Sequence, residues 1–567
     1  MRLKPVYIAA AGIASPFGEG IESVWQALLA PPGWKEHTIL AGGRPRYVKA
    51  RLSAPAEYEA DPTEYFVQLC RRAIESLLAE CPEKLEGRGC LLLGSGMGAS
   101  DRYLSDQPAP THWEEEILRR ICDGLLGRLP AKWLANACCA GAQAIVYGCD
   151  LIRSGEYDFV IAGGAESFSY LTYAGFERLH SIDPDGCRPF DRDRRGIGVG
   201  EGAAFFLLSA KRPRTPLGCL LGCAMTSDAF HLVSPEPHGE AVRQAMSLAL
   251  QRSLLLPAQV DAVIAHGTGT RANDAVEAAA IHGLMRDTPV TAPKGVLGHT
   301  GGASGPFQLA AALGCLRHQM LPAIGGLTHP DETLPIRPVF QTRSASLRRL
   351  LVNCFAFGGS NVSMVCASDQ EARYRPMLCL SRLAAEKADV GRRPVECKSV
   401  TLSAGGDALS YKGDVGRWTD RLCMRSLALA ERLLEESGAW EGRYDVGVVL
   451  SVREGARESM DRFAAMLRRG EGNPGQFPHV MLSTALSYLT RRLGARGPCC
   501  VFLERDGAEA ERYARVQLAL GQCEAVLCFF LQDADKPRAS VWINQLPGGE
   551  EHEGSPDQSQ GHHIQPQ

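Results

Sequence analysis

Three short segments carry side chains able to do chemistry. Asn136-Ala137-Cys138-Cys139-Ala140-Gly141, His266-Gly267-Thr268-Gly269-Thr270 and Lys294-Gly295-Val296-Leu297-Gly298-His299 each set one reactive group among small residues. A soft nucleophile and two imidazoles are what carbon–carbon bond formation on a thioester requires. Cys138 follows the strand-like Lys132-Trp133-Leu134-Ala135 and opens the helix-like Gly141 to Tyr147. A thiol so placed meets unpaired N–H groups and the positive end of a helix dipole, which can lower a cysteine pKa to roughly 3.5–7.5 and give thiolate at neutral pH. Cys139 is a rival nucleophile that the sequence leaves open. His266 ends Val263-Ile264-Ala265 and so falls at the carboxyl end of a strand, the edge where open α/β sheets bind ligands. Beyond it, Thr268 and Thr270 offer hydroxyls to an amide-bearing substrate. Lys294 stands five positions before His299, and the dense glycines around both imply close backbone approach. A fourth segment, Asn353-Cys354-Phe355-Ala356-Phe357-Gly358-Gly359-Ser360-Asn361, follows the apolar Leu350-Leu351-Val352. The two glycines after Phe357 suggest a movable loop whose backbone N–H can serve an oxyanion.

These groups need a scaffold, and the composition supplies one. The chain has 567 residues, 45% hydrophobic and 22% charged, with a formal charge of −3. It is long enough for several domain-sized units. The charge gives no case for nucleic-acid binding. The run Met1 to Ala9 leads straight into a strand rather than reading as a secretory leader, and no window has the length and apolarity of a membrane span. The 20 cysteines include no Cys-x-x-Cys pair, so no zinc or other metal site is expected. They read as buried small hydrophobes in a reducing cytoplasm.

Apolar runs bounded by glycine, such as Gly89 to Gly94, Phe159 to Gly164 and Ala262 to Ala265, alternate with helical patterns at Phe66 to Glu80 and Ala241 to Gln251. Strands buried on both faces and separated by helices indicate a layered α/β architecture. The expected organisation is a first unit over residues 1–367, a charged linker over 368–398, a smaller unit over 399–534 and a disordered tail over 535–567 that includes His562-His563. The smaller unit echoes the first. Leu52-Ser53-Ala54 matches Leu402-Ser403-Ala404, Leu69-Cys70 matches Leu422-Cys423, and Leu91-Leu92-Leu93 matches Val448-Val449-Leu450. Gly141 and Gly155 match Gly507 and Gly521 at identical spacing, which sets Glu504 opposite Cys138. The echo therefore lacks the nucleophile.

In this order and with these flanks, residues 3 to about 367 resemble the β-ketoacyl synthases, the condensing enzymes of fatty-acid and polyketide assembly. Supporting stretches are Val6 to Gly18, Cys187-Arg188-Pro189-Phe190-Asp191-Arg192-Asp193-Arg194, Gly200-Glu201-Gly202 and Asp228-Ala229-Phe230-His231 leading to Ser234-Pro235. The resemblance implies the thiolase fold, a five-layer αβαβα sandwich of two similar α/β halves, followed here by a partial thiolase-like α/β domain. It implies a catalytic triad of Cys138, His266 and His299, with Lys294 and Glu277 as further active-site residues. Thr268 and Thr270 would bind a phosphopantetheine arm, and Phe357 would gate a mobile loop. Backbone N–H groups of Cys138 and Phe357 would form the oxyanion hole. No free cofactor is implied, because substrates ride on an acyl carrier protein. The implied partners are that carrier and a second synthase-like chain in a homodimer or heterodimer. Two departures stand out: Cys139 replaces the family's usual alanine after the nucleophile, and Cys354 its usual serine after the asparagine. The rival reading is a non-catalytic partner of another synthase, of the chain-length-factor kind. Such partners commonly lack the cysteine that this chain retains.

Overall fold

The computed structural model describes residues 4–41, 44–81, 85–104, 113–373, 393–401, 419–437, 443, 445–453, 455–532 and 536–545. Its framework is one five-strand pattern built three times. The first copy comprises β1 (Val6–Ser15), β2 (Gly89–Gly94), β3 (Ala131–Leu134), β4 (Phe159–Glu166) and β5 (Gly202–Ser209). Their order across the sheet is β1-β5-β4-β2-β3, with β2 parallel to both β3 and β4, and β5 antiparallel to both β4 and β1. The second copy comprises β6 (Gly218–Ser227), β7 (Ala262–Ile264), β8 (Pro289–Thr291), β9 (Arg349–Phe355) and β10 (Ser360–Ala367). It repeats the pattern as β6-β10-β9-β7-β8 with the same directions. The third comprises β11 (Arg393–Thr401), β12 (Val446–Val452), β13 (Cys499–Leu503), β14 (Ala525–Phe530) and β15 (Arg538–Gln545), ordered β11-β15-β14-β12-β13.

A shared irregularity ties the copies together. The ladder of each copy's first strand shifts register at one place: between Ile8 and Ala10, between Leu220 and Gly222, and between Glu396 and Lys398. Each of these is a bulge near the start of its strand, which re-aims the strand there.

Helices fill matching slots. Between the first two strands of each copy lie α1 (Pro62–Glu80), α4 (Glu240–Arg252) and α8 (Arg421–Ser437). Between the third and fourth lie α2 (Ala140–Arg153), α7 (Ser304–His318) and α10 (Ala508–Ala519). The α2 helix is buried from Ala140 to Ile152 and shares one apolar cluster with α7, the inner face of β1 and the inner face of β9. A helix apolar all round belongs in a middle layer. The sheets of copies one and two thus sandwich α2 and α7, with α1 outside one sheet and α4 outside the other. This is the five-layer αβαβα sandwich of the thiolase fold.

The third copy joins the first edge to edge. Strand β13 pairs antiparallel with β3 through Phe502–Leu134 and Leu503–Trp133. Register shows what this means. Leu91 on β2 pairs with Ala131 and Ile161, and Val448 on β12 pairs with Cys499 and Leu527. Ala131 and Cys499 are therefore equivalent, and so are Leu134 and Phe502, each three residues on. These equivalent residues pair with each other, so a local twofold runs through them and a ten-strand sheet crosses copies one and three.

Two expectations need correction. The segment expected as linker has helix Asp369–Arg373 at one end and the start of β11 at the other. The expected tail contains β15, inserted between β11 and β14. Both were hidden because β11 is an outer strand with Glu396 to Ser399 exposed, leaving little apolar pattern to read. Residues 374–392, 402–418 (with Leu402-Ser403-Ala404) and 546–567 (with His562-His563) lie outside the described residues.

Candidate active site

The β3–α2 crossing forces a tight turn. Ala137 takes φ of 45°, a left-handed value unusual for a residue with a Cβ, and lifts Cys138 to the mouth of α2. Glycines make room: a Cβ on Gly141 would overlap the Gly302 carbonyl. Cys138 is 9% exposed and opens onto a cavity of about 280 Å³. Cys139 is fully buried and turns away, its Sγ donating to the carbonyls of Cys354 at 3.1 Å and Ser360 at 3.3 Å.

The cavity gathers residues from distant parts of the chain. His266, Thr268, Thr270, His299 and Phe357 line it with Cys138. His266 sits just past β7, and His299 just past the short helix α6 (Lys294–Leu297). The two imidazole rings lie 6.0 Å apart, centre to centre, and perpendicular. Their outward nitrogens are assigned by their partners. The Phe355 N–H donates to His266 Nδ1 at 3.2 Å, and the Gly301 N–H donates to His299 Nδ1 at 3.1 Å. A nitrogen that accepts a backbone N–H carries no proton, so Nε2 of each neutral ring bears it and is a donor. Burial, reinforced by the Lys294 charge, holds His266 well below the ordinary imidazole value and His299 at about 3. Both rings are neutral at physiological pH.

Lys294 is buried, and its Nζ lies 2.8 Å from the His266 carbonyl, 3.1 Å from Gln308 Oε1 and 3.1 Å from His266 Nδ1. Three ammonium protons thus have three acceptors. Burial pulls its pKa down, while Cys354 and Glu277 push it back up. Glu277, on α5 (Arg271–Met285), does not touch the rings. Its carboxylate accepts the N–H groups of His266 and Gly267, each at 2.8 Å, and the Asn353 amide at 3.2 Å. It holds the end of β7 in place, and burial raises its carboxyl to about 7. Thr268 and Thr270 meet through their hydroxyls at 2.9 Å on the cavity wall.

The expectation of a ready thiolate at Cys138 is corrected. Burial pushes its thiol up to about 12, with Cys354 adding to the rise. Lys294 and the Phe357 backbone N–H act in the other direction. Desolvation in a closed site disfavours the charged sulfur.

Two contributors carry no motif. Gln308 on α7 receives Lys294 while donating to the carbonyls of Ala265 at 2.7 Å and Asn353 at 2.5 Å. Glu166, at the end of β4, collects the N–H groups of Gly96, Met97, Gly98 and Gly302 within 3.1 Å and so fixes the loops around Cys138 and His299. The one signal available was an acid closing an otherwise apolar strand. Elsewhere, Asp191, Asp193 and His329 approach closely enough to hold an ion, although Asp191 already accepts the Thr328 and His329 N–H groups.

Known proteins resemble this chain over part of its length. Residues 130–213 match the β-ketoacyl synthase N-terminal domain, and residues 217–328 its C-terminal domain. Residues 130–328 thus carry matches to both halves of the β-ketoacyl synthase family. The 3-oxoacyl-[acyl-carrier-protein] synthase 2 of Mycobacterium tuberculosis H37Rv is 36% identical over 245 residues, which is 40% of this chain and 59% of the relative. The chain thus spans well under two thirds of the mycobacterial relatives. The synthase 2 of Coxiella burnetii is 28% identical over 64% of this chain and 99% of its own length. Among solved structures, the ishigamide ketosynthase/chain length factor aligns with a TM-score of 0.58 at 25% identity, covering 64% of this chain and 99% of its own. The PfaC keto synthase–chain length factor shares the fold over 95% of this chain and 78% of its own, with a TM-score of 0.72 at 14% identity. No helix among the described residues is long and apolar enough to cross a membrane.

Proposed function

We propose that the chain is a β-ketoacyl-acyl carrier protein synthase, joining an acyl group to a malonyl unit by decarboxylative Claisen condensation in fatty-acid or polyketide assembly. The observation that carries this reading is one cavity holding an open thiol and two imidazoles that both present N–H donors. In the first half-reaction the Cys138 sulfur attacks an acyl thioester. The thiol gives up its proton, the bond from the acyl carbon to the carrier sulfur breaks, and the carrier leaves as a thiol. The N–H groups of Cys138 and Phe357 hold the tetrahedral oxyanion, where one lost donor costs about 10²–10³ in rate. In the second, malonyl thioester loses carbon dioxide. The electron pair of the broken bond becomes an enolate whose oxygen accepts from Nε2–H of His266 and His299. That carbanion attacks the acyl-enzyme, and Cys138 departs as the β-ketoacyl product forms. Lys294 supports the donors by holding Nδ1 and the backbone of His266, and Glu277 anchors that backbone from behind.

The carrier's phosphopantetheine arm enters past Thr268 and Thr270, and no free cofactor is needed. We place the chain in the cytoplasm because its described cysteines are all free thiols. The carrier is the expected transient partner, with a synthase-like partner beside the first copy. The chain-length-factor reading applies to the third copy, where Glu504 stands in place of the nucleophile.

The test is intact-protein mass spectrometry after incubation with acyl-carrier thioester. Cys138→Ala should lose the acyl adduct and Cys139→Ala keep it. An adduct that survives Cys138→Ala sinks the assignment.

A further inference from the structure

Cys139 and Cys354, the two positions at which the sequence departs from the family pattern, meet in the fold. They lie 215 residues apart in the chain, one at the mouth of α2 and the other near the end of β9. Each thiol reaches the backbone of the other's segment: Cys139 Sγ donates to the Cys354 carbonyl at 3.1 Å, and Cys354 Sγ donates to the Cys138 carbonyl at 3.3 Å. The two thiols also bond to each other. Both are fully buried. Each nevertheless stands one residue from the cavity wall, because Cys138 and Phe355 line it.

The pair is unequal. Burial works against ionising Cys354, but the bond from Cys139 and the Lys294 charge bring its thiol below the ordinary value. Burial holds Cys139 far above it. A thiol that ionises beside one that keeps its proton is the arrangement in which an oxidised sulfur finds a resolving partner. The neighbours of the pair are the machinery of the site. Asn353 holds Glu277, the Phe355 N–H holds Nδ1 of His266, and Cys138 precedes Cys139. The β9–β10 turn is braced from behind, where Ser487 of α9 (Thr484–Leu493) crowds Gly358. A covalent bond between the sulfurs is shorter than their present contact and removes both S–H donors. With the turn braced, that tightening falls on the loop that carries Cys138.

We propose that Cys139 and Cys354 form a dithiol modification site, which hydrogen peroxide closes to a disulfide that switches off acyl loading at Cys138 until a dithiol reductant reopens it. Peroxide reaches the pair by way of the cavity. The Cys354 sulfur attacks peroxide and becomes a sulfenic acid, releasing water. The Cys139 sulfur then attacks that sulfur, the S–O bond breaks, and a second water leaves. Two thiols and one peroxide thus give one disulfide and two waters. Disulfides of this transient kind suit a reducing compartment.

The full-length protein is treated with excess hydrogen peroxide, remaining thiols are blocked with iodoacetamide in denaturant, and peptides are mapped by mass spectrometry. A Cys139–Cys354 cross-link should appear, and it should appear in Cys138→Ala as well. Cys149 and Cys223 also touch, but among the described residues no neighbour of either lines the cavity, so both should remain alkylated. Acyl loading of the oxidised wild type should fall by roughly 10-fold or more, since a misplacement of about 1 Å can cost 10²-fold. Dithiothreitol should restore it. Cys139→Ala and Cys354→Ser, the residue types usual in the family, should keep their loading through the same treatment, because the Cys138 thiol is itself held up at about 12 and reacts slowly. The cross-link and its reversal are read on the wild type, so they decide the matter even if a variant fails to fold. Absence of the cross-link, a cross-link from Cys139 to Cys499 instead, or a cross-linked enzyme that loads acyl groups as before overturns the proposal. The cross-link is scored without any thioester, so its failure is distinct from failure of the acyl-transfer reading, which would show as no Cys138 adduct on the reduced protein.

Discussion

Glu277→Gln gives the sharpest physical test of the site, because its effect must change with pH. In the wild type the carboxylate holds three buried donors, the N–H groups of His266 and Gly267 and the Asn353 amide. Even so, burial raises its carboxyl from the ordinary 4.5 to about 7. The folded chain thus binds this proton more tightly than the unfolded chain. The associated stability is fully present below about pH 4.5 and is lost as pH climbs through about 7. At about 1.36 kcal/mol per pH unit, the interval between those values is worth about 3 kcal/mol. Glutamine cannot titrate. It resembles the protonated acid, with one acceptor oxygen and one donor group facing the same backbone. The difference in stability between variant and wild type should therefore move in the variant's favour by about 3 kcal/mol as pH rises from about 4.5 to 8. Urea-unfolding midpoints of both proteins at half-unit steps across that range would show it. The variant should also lose condensation activity on the alkaline side, because Glu277 helps Lys294 keep its proton. A difference that stays flat from acid to mildly alkaline pH, or slopes the other way, refutes the view that the site stores a strained carboxylate to support its lysine.

Other outcomes follow from the same geometry. With the Cys138 thiol pushed up to about 12, its alkylation by iodoacetamide should rise about tenfold per pH unit from about pH 7 to 9. A plateau in that window would mean that the helix terminus outweighs burial. His299 sits at about 3 and His266 well below its ordinary value, so malonyl decarboxylation should show no acid limb from either ring above about pH 5. An imidazole titration near neutrality would contradict the tautomers assigned here. Phe502→Ala removes a buried ring that packs on Tyr147 across the junction of copies one and three and on Tyr513 within copy three. It should cost about 3–5 kcal/mol in urea unfolding. Gly141→Ala forces a Cβ into the Gly302 carbonyl, so acyl loading on Cys138 should fall, with a loss of about 1–3 kcal/mol in stability.

What could be read in advance divides along a physical line. The triad was legible because each member needs small residues around it, and glycine leaves a local mark: Gly141 beside Cys138, Gly267 beside His266, Gly298 beside His299. The repeat was legible through Gly155 and Gly521, which end α2 and α10 with φ of 79° and 64°, a conformation that keeps glycine in both. Residues whose role arises from distant contacts left no such mark. Gln308 serves Lys294 and two strand ends, Glu166 gathers amides from loops some seventy and well over a hundred positions away, and Met481 reaches a site over three hundred residues upstream. Strand β11 escaped notice for a different reason: an outer strand solvated on one side carries too few apolar residues to announce itself.

The third copy also shows why a repeat can keep its fold and lose its chemistry. Counting back from Gly155 and Gly521, Glu504 falls opposite Cys138, and it lies at the N-terminus of α10. Its carboxylate accepts the N–H groups of Glu509 and Ala510 at 2.8 and 3.1 Å and the Ser451 hydroxyl at 2.7 Å. A helix N-terminus attracts an anion in either copy. In copy one that place is left to a thiol which must be free to form a bond to carbon. In copy three it is filled by a fixed carboxylate that caps α10, the helix whose Glu509 in turn accepts from Tyr147 at 2.6 Å across the junction. The same backbone feature that can activate a nucleophile is used there for packing. A unit so committed stabilises its neighbour's site, and the place to look for its influence is the wall it shares with Cys138 rather than any chemistry of its own.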